Sequence, residues 1–190
     1  TLVSLATSNA FDLIFVMGQN YVGADTLEEI RASAKQPPVF VYHSHDNNFA
    51  PGVLKPQGFE NTLRAFDHVF TTKSQNVTRY QELGQQNSYY LPSAYEPSVH
   101  RPVPLAESAY PGSFEVGFVG TYDLSREPWL EAVGWHRLHV WGNHWKKSVL
   151  SQEYPERIHP SAVYFHQYAD VISRSLLSLG LLREEAEDLH

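Results

Sequence analysis

The sequence predicts an α/β protein of two doubly wound units, each a parallel sheet covered by helices. Three observations predict it. Short apolar runs alternate with helix-period stripes through the first ninety or so positions. The apolar runs are near-continuous rather than alternating, as in strands buried on both faces. The composition then turns proline-rich, with Pro92, Pro97, Pro102, Pro104 and Pro111, and the α/β pattern restarts after it.

The elements follow in order. Phe11 to Met17, closed by Gly18, reads as the first strand. Thr26 followed by Glu29 is a capping-box pattern, and Leu27, Ile30 and Ala34 give a helical stripe that Pro37-Pro38 stops. Val39 to Tyr42 is the second strand, and His43 to Asn48 a polar loop. A helix over Phe59 to Ala65 leads to a strand over Asp67 to Thr72. Ser74 is placed to cap a helix that runs through Leu83 and ends at Gly84, and Ser88 to Pro92 is the fourth strand. Beyond the prolines, Phe114 to Gly120 is a strand, Ser125 and Pro128 open a helix to Val133, and Arg137 to Gly142 is a strand. Ala162 to Ser173 is helical and Ser175 to Leu182 a further strand. This gives three segments: a first unit over 1–98, a connection over 99–112, and a second unit over 113–190. Doubly wound domains carry about five or six strands. With four and with two or three strands, both units are expected to be incomplete, and the chain reads as an internal fragment.

Composition bounds the function. At 42% hydrophobic and 18% charged residues the chain is globular in composition. No apolar run approaches the ~20 residues of a membrane span, and residues 1–9 lack a signal peptide's basic and apolar regions. A cytoplasmic location is expected. With no cysteine, thiolate chemistry and disulfides are excluded. A net charge of -7 without a basic face argues against nucleic acid as partner.

Ligands of parallel sheets sit beyond the carboxyl ends of the strands, so those loops hold the candidates. His43, His45 and Asp46 crowd titratable groups after the second strand, suited to orienting a hydroxyl or taking its proton, and the amide of Asn47 beside them is a further substrate contact. The plainer reading is an Asn/Asp turn. His43, His45 and Asp46 as metal ligands rank below substrate contact, and no metal is expected. Gly120, Thr121 and Arg126 form a strand-to-helix turn, with backbone room and a charge for a diphosphate; a plain turn is the alternative. Thr72 and Lys73 after the third strand, and Asn143 beside Trp141 and Trp145, are further substrate contacts, although capping explains Ser74 and packing explains the tryptophans equally well. There is neither a GxGxxG fingerprint nor an Asp-x-Asp triplet.

Taken together, "FDHVFTTKSQNVTRYQELG", "YYLPSAYEPSVHRPV", "FEVGFVGTYDLSREPWLEAV" and "HVWGNHWKK" resemble segments of the CgeB-like (spore-maturation-protein-like) bacterial glycosyltransferases, a branch of the group 1 GT-B transferases. "VFVYHSHDNN" is less similar: relatives carry an acidic pair where this chain has Asp46-Asn47. The resemblance spans most of residues 11–182. It implies two Rossmann-like units with a nucleotide-sugar donor held by the second, an acceptor entering from the first, and a metal-independent, hexosyltransferase-like reaction with no cofactor. His43, His45 and Asp46 would be catalytic, and Gly120, Thr121 and Arg126 would bind the donor. The acceptor, whether glycan, protein or small molecule, is left open. The ribose-binding glutamate of related transferases lies downstream of the helix near Asp170, so Glu184, Glu185 and Glu187 are not assigned that role, and the fragment alone is expected to be inactive. The rival readings are a non-catalytic nucleotide- or sugar-binding module and a nucleotide-sugar epimerase. A Rossmann dehydrogenase is disfavoured by the missing GxGxxG.

Overall fold

In the computed structural model the chain is α/β, with two four-stranded, all-parallel sheets flanked by helices. The structure describes residues 1–18, 22–50, 53, 55 and 57–181. The chain divides into two compact units between Ser93 and Ala94. No helix among the described residues is long and apolar enough to cross a membrane.

The first unit runs α1 (Leu2–Ser8), β1 (Leu13–Met17), α2 (Ala24–Ser33), β2 (Val39–Ser44), α3 (Phe59–Ala65), β3 (His68–Thr71), α4 (Ser74–Glu82) and β4 (Ser88–Tyr90). The sheet order is β1-β2-β3-β4. Parallel strands laid down in one direction by right-handed crossovers place their connecting helices on one face. The core agrees: Leu27 and Ile30 of α2, Phe59 and Leu63 of α3 and Tyr80 of α4 pack with Val16, Phe40, Tyr42 and Val69. These strand residues share one face by period-two alternation. The intervening positions Leu13, Phe15, Met17 and Val39 stay exposed.

Three local expectations are corrected. The second strand extends through His43 and Ser44, because β3 continues the pairing as His43↔Phe70 and Ser44↔Thr71. The Thr26–Glu29 pattern does not cap α2, which starts earlier, at Ala24. Its N-cap Gly23 offers no side chain, and Thr62 of α3 accepts the Ala24 N–H instead. Ser74 is the first residue of α4 rather than its cap, and Thr71 Oγ1 accepts the Lys73 N–H. At α2 a tertiary partner takes over what a local cap would supply.

The second unit contains β5 (Phe114–Val119), α5 (Glu127–Val133), β6 (Leu138–Trp141), α6 (Val149–Glu153), β7 (Ile158–His159), α7 (Phe165–Arg174) and β8 (Ser175–Leu179). Its sheet has four strands where two or three were expected. β7 has only two residues, ended by Pro160, too few for a periodicity. The order is β7-β6-β5-β8. The chain leaves β5 towards β6 and β7, then returns through α7 to pair β8 on the other side of β5. One face of this sheet packs Val116, Phe118, Leu138 and Val140 against Leu130, Trp145 and Leu150. The proline-rich segment is docked on this unit: Val103 is buried, its N–H donates to Ser173 Oγ, and Arg174 donates to its carbonyl.

Candidate functional site

In a sheet ordered β7-β6-β5-β8, the direction of winding reverses between β5 and β8. Ligands of such sheets bind outside the carboxyl ends of the strands at that reversal. Gly120 and Thr121 follow β5 there, and Gly180 and Leu181 follow β8. The loops are laddered along this edge: Gly120 N–H donates to Trp141 O, Tyr122 N–H to Asn143 O, and Gly142 N–H to His159 O.

Gly120 has to be glycine. A β-carbon on it would lie 2.9 Å from the Phe118 ring and 3.2 Å from Arg126 Nη1. The crowding therefore comes from the unit's own side chains, and Gly120→Val would disturb local packing whatever the ligand. Gly142 closes against the same loop: at φ +145°, its β-carbon would meet Gly120 O at 2.1 Å.

Arg126 is buried at 8% exposure. Its Nη1 donates to Thr121 O at 2.8 Å and its Nη2 to Leu181 O at 2.9 Å, and its guanidinium lies 5.3 Å from the Phe118 ring centroid. The guanidinium thus clips the loop after β5 to the loop after β8 across the reversal. The turn leading to α5 is capped by Asp123, whose carboxylate accepts from Ser125 N–H and Ser125 Oγ. Thr121 is half-buried, and Asn143 is exposed.

Beside this loop lies a cavity of about 380 Å³, walled by Tyr110, Trp141, His159, Gln167 and Asp170 together with the 160–163 turn. Its rings are ordered. Trp141 and His159 are parallel, with centroids 4.3 Å apart and planes 6° apart, and Trp141 Nε1 donates to Tyr110 Oη. His139 stacks beside His159 at 5.6 Å, and its Nδ1 lies 3.3 Å from His159 Nε2. Burial, then Arg157, then His159 hold His139 down to about 4, against a smaller opposing pull from Glu156. Burial also lowers His159. Both rings are therefore neutral at pH 7. Asp170 is 5% exposed. Its Oδ2 accepts from Ala109 N–H at 2.8 Å, while Oδ1 is closed from water and has no hydrogen-bond partner among the described residues. A buried carboxylate oxygen left in that state is costly and calls for an explanation.

In the first unit the structure brings His43, His45, Asp46, Asn47, Thr72 and Lys73 together at the carboxyl ends of β2 and β3. Thr72 N–H donates to Ser44 O, and Thr72 Oγ1 to His45 O. The loop is pinned from below: Asn76 Nδ2 donates to Asp46 O, Ser44 Oγ bonds Asp46 O and Asn48 Oδ1, and Asn48 Nδ2 donates to Tyr80 Oη. Asn47 Oδ1 accepts from Phe49 N–H, an Asx turn. His45 and Asp46 side chains are exposed, whereas His43 is half-buried, 4.3 Å from the His45 ring. Burial and His45 lower its pKa, leaving it neutral and proton-accepting at pH 7. Asn76 heads the Asn-Val-Thr glycosylation triplet but is fully buried, which closes it to glycosylation in the folded chain. Among the described residues no group of three or more His, Asp or Glu is placed to hold a metal.

Gly120, Thr121, Arg126 and Asn143 thus share one edge of the second unit, and His43, His45, Asp46, Asn47, Thr72 and Lys73 share one edge of the first. Sequence reasoning missed Tyr110, His139, His159, Gln167 and Asp170. One signal was present: His139 and Trp141 stand two apart in a strand and so share a face. Trp141 and Trp145, singled out together, are both 1% exposed; Trp145 packs in the core of the unit, its Nε1 donating to Gly120 O. No protein-family model matches the chain, and no curated protein matches it.

Proposed function

We propose that the chain binds a nucleotide-sugar in its second unit, as part of a metal-independent glycosyltransferase of the CgeB-like GT-B group. The observation that carries the reading is the winding reversal between β5 and β8, with the Gly120–Thr121 loop at its mouth and a ring-walled cavity beside it. Phosphates fit at the loop by its place, beyond the carboxyl end of β5 at the reversal. A base fits the cavity, whose volume of about 380 Å³ takes a flat heterocycle against the His159 edge. His43, His45 and Asp46 then supply proton transfer and orientation for the acceptor hydroxyl. The sequence resemblance supports the same assignment.

The test is calorimetric titration of the chain with the four common nucleoside diphosphates, the parent nucleosides and pyrophosphate. One diphosphate should bind more tightly than its nucleoside and than pyrophosphate. If none binds at millimolar concentration, the reading is wrong. In a catalytically competent protein, His45→Ala or Asp46→Ala should lower turnover ~100- to 10,000-fold with little change in melting temperature. Binding without transfer would favour the binding module, and sugar interconversion without an acceptor the epimerase.

A further inference from the structure

The contact between His139 Nδ1 and His159 Nε2, 3.3 Å apart, raises a definite chemical question. Both rings are neutral at pH 7, with pKa values lowered mainly by burial. Two neutral imidazoles meeting nitrogen to nitrogen can hold one hydrogen between them. Two hydrogens would clash, and none would set lone pair against lone pair. Their tautomers are therefore coupled.

Two arrangements satisfy the contact. In one, His159 Nε2–H donates to a bare His139 Nδ1, and both rings are Nε2–H tautomers. In the other, His139 Nδ1–H donates to a bare His159 Nε2, and both are Nδ1–H tautomers. The Nε2–H form is the intrinsically favoured one for a histidine side chain, so the first arrangement is favoured at both rings. Neither ring makes another hydrogen bond to the described residues that would reverse the preference.

We propose that His139 is a positioning residue that locks His159 as its Nε2–H tautomer, so that His159 meets a cavity ligand with Nδ1 as an acceptor. His159 lines the cavity and His139 does not. With Nε2 engaged by His139, Nδ1 is the ring nitrogen left for a ligand. His159 therefore selects a ligand edge that donates, a ring N–H or an amino group, over one that presents carbonyls alone. The other charged groups about the pair are Arg157, which disfavours a proton on His139, and Glu156, which weakly favours it. This inference rests on the nucleotide reading only for the nature of the ligand. The tautomer lock stands on the ring-to-ring contact, with both rings neutral.

The experiment is ring nitrogen-15 NMR of the whole chain at pH 7, in the wild type, His139→Leu and His139→Asn. Melting temperatures verify that each variant is folded. Asn places an amide oxygen close to where the Nδ1 lone pair was, so it can accept from His159 Nε2–H. In the wild type His159 should show a protonated Nε2 and a bare Nδ1. His139→Leu should shift both signals towards mixed-tautomer values, and His139→Asn should restore them. The nucleoside diphosphate that binds the wild type should lose about 2- to 10-fold in affinity in His139→Leu, the equivalent of one neutral hydrogen bond, and regain it in His139→Asn. A His159 pattern that ignores His139→Leu, or a wild type with Nδ1 protonated, would overturn the inference. If no diphosphate binds while the His159 signals follow His139 as described, the nucleotide reading falls and the tautomer lock stands.

Discussion

Replacing Arg126 by Met separates two roles that the sequence could not distinguish. The perturbation removes the donors to Thr121 O and Leu181 O while keeping an unbranched side chain over Phe118. Hydrogen bonds from a charged group contribute about 1.5–3 kcal/mol each, so the two together contribute roughly 3–6 kcal/mol. Removing the guanidinium also removes the cost of burying its charge, which offsets part of that. The net expectation is a loss of about 2–4 kcal/mol. For a unit of this size each kcal/mol moves the melting temperature by about 4–8 °C, so the fall should exceed about 8 °C. The assay is scanning calorimetry of both proteins, paired with diphosphate titration below the transition. If Arg126 is a clip, Arg126→Met melts early and, while folded, weakens nucleoside and diphosphate binding alike, because the loops on both sides of the reversal lose register. A variant that melts like the wild type but loses only the diphosphate would refute this reasoning. It would put the guanidinium on the phosphate instead.

Two further predictions follow from the packing. Gly142→Ala sets a β-carbon 2.1 Å from Gly120 O on a residue at φ +145°, so strain and overpacking together should cost about 2–6 kcal/mol. Denaturant unfolding should show it, and a loss under about 1 kcal/mol would mean that the β6 loop can move away. Tyr80→Phe removes the hydroxyl that accepts from Asn48 Nδ2 in a fully buried setting. It should cost about 1–3 kcal/mol and raise hydrogen exchange in the 45–48 loop, and unchanged exchange there would show that Ser44 and Asn76 hold the loop without it.

Much of the architecture was legible because it rests on local pattern. The strands over Leu13–Met17, His68–Thr71, Phe114–Val119 and Leu138–Trp141 are apolar runs bounded by turn residues, and α3 matches its expected span residue for residue. The misses share a cause. The Ala24 N–H is capped by a threonine far along the chain, Thr62, and β7 exists only because β6 offers it an edge. Neither contact leaves a trace in local periodicity. The candidate residues were chosen by place, at strand ends, and the structure does put them there. What each one touches could not be read. Arg126 reads from the sequence as a charge for a diphosphate, and its partners at Thr121 and Leu181 depend on β8 returning beside β5.

That return of the chain also accounts for the cavity. Because β8 pairs on the far side of β5, the crossover α7 cannot join α5 and α6 on their face of the sheet and must lie on the other. That other face carries Gly117, His139 and Trp141 by alternation from the core residues Val116, Leu138 and Val140. A β-carbon on Gly117 would strike Ser175 Oγ at 2.1 Å, so glycine there is what lets the end of α7 come down onto β5. With α7 seated, Asp170 is buried and its Oδ2 draws in the Ala109 N–H, which brings Tyr110 within hydrogen-bonding reach of Trp141 Nε1. The rings, the carboxylate and the Gly120 loop thus reach the same edge through one topological event. A substitution at Gly117 should damage the cavity and the loop together, although it contacts no ligand in either.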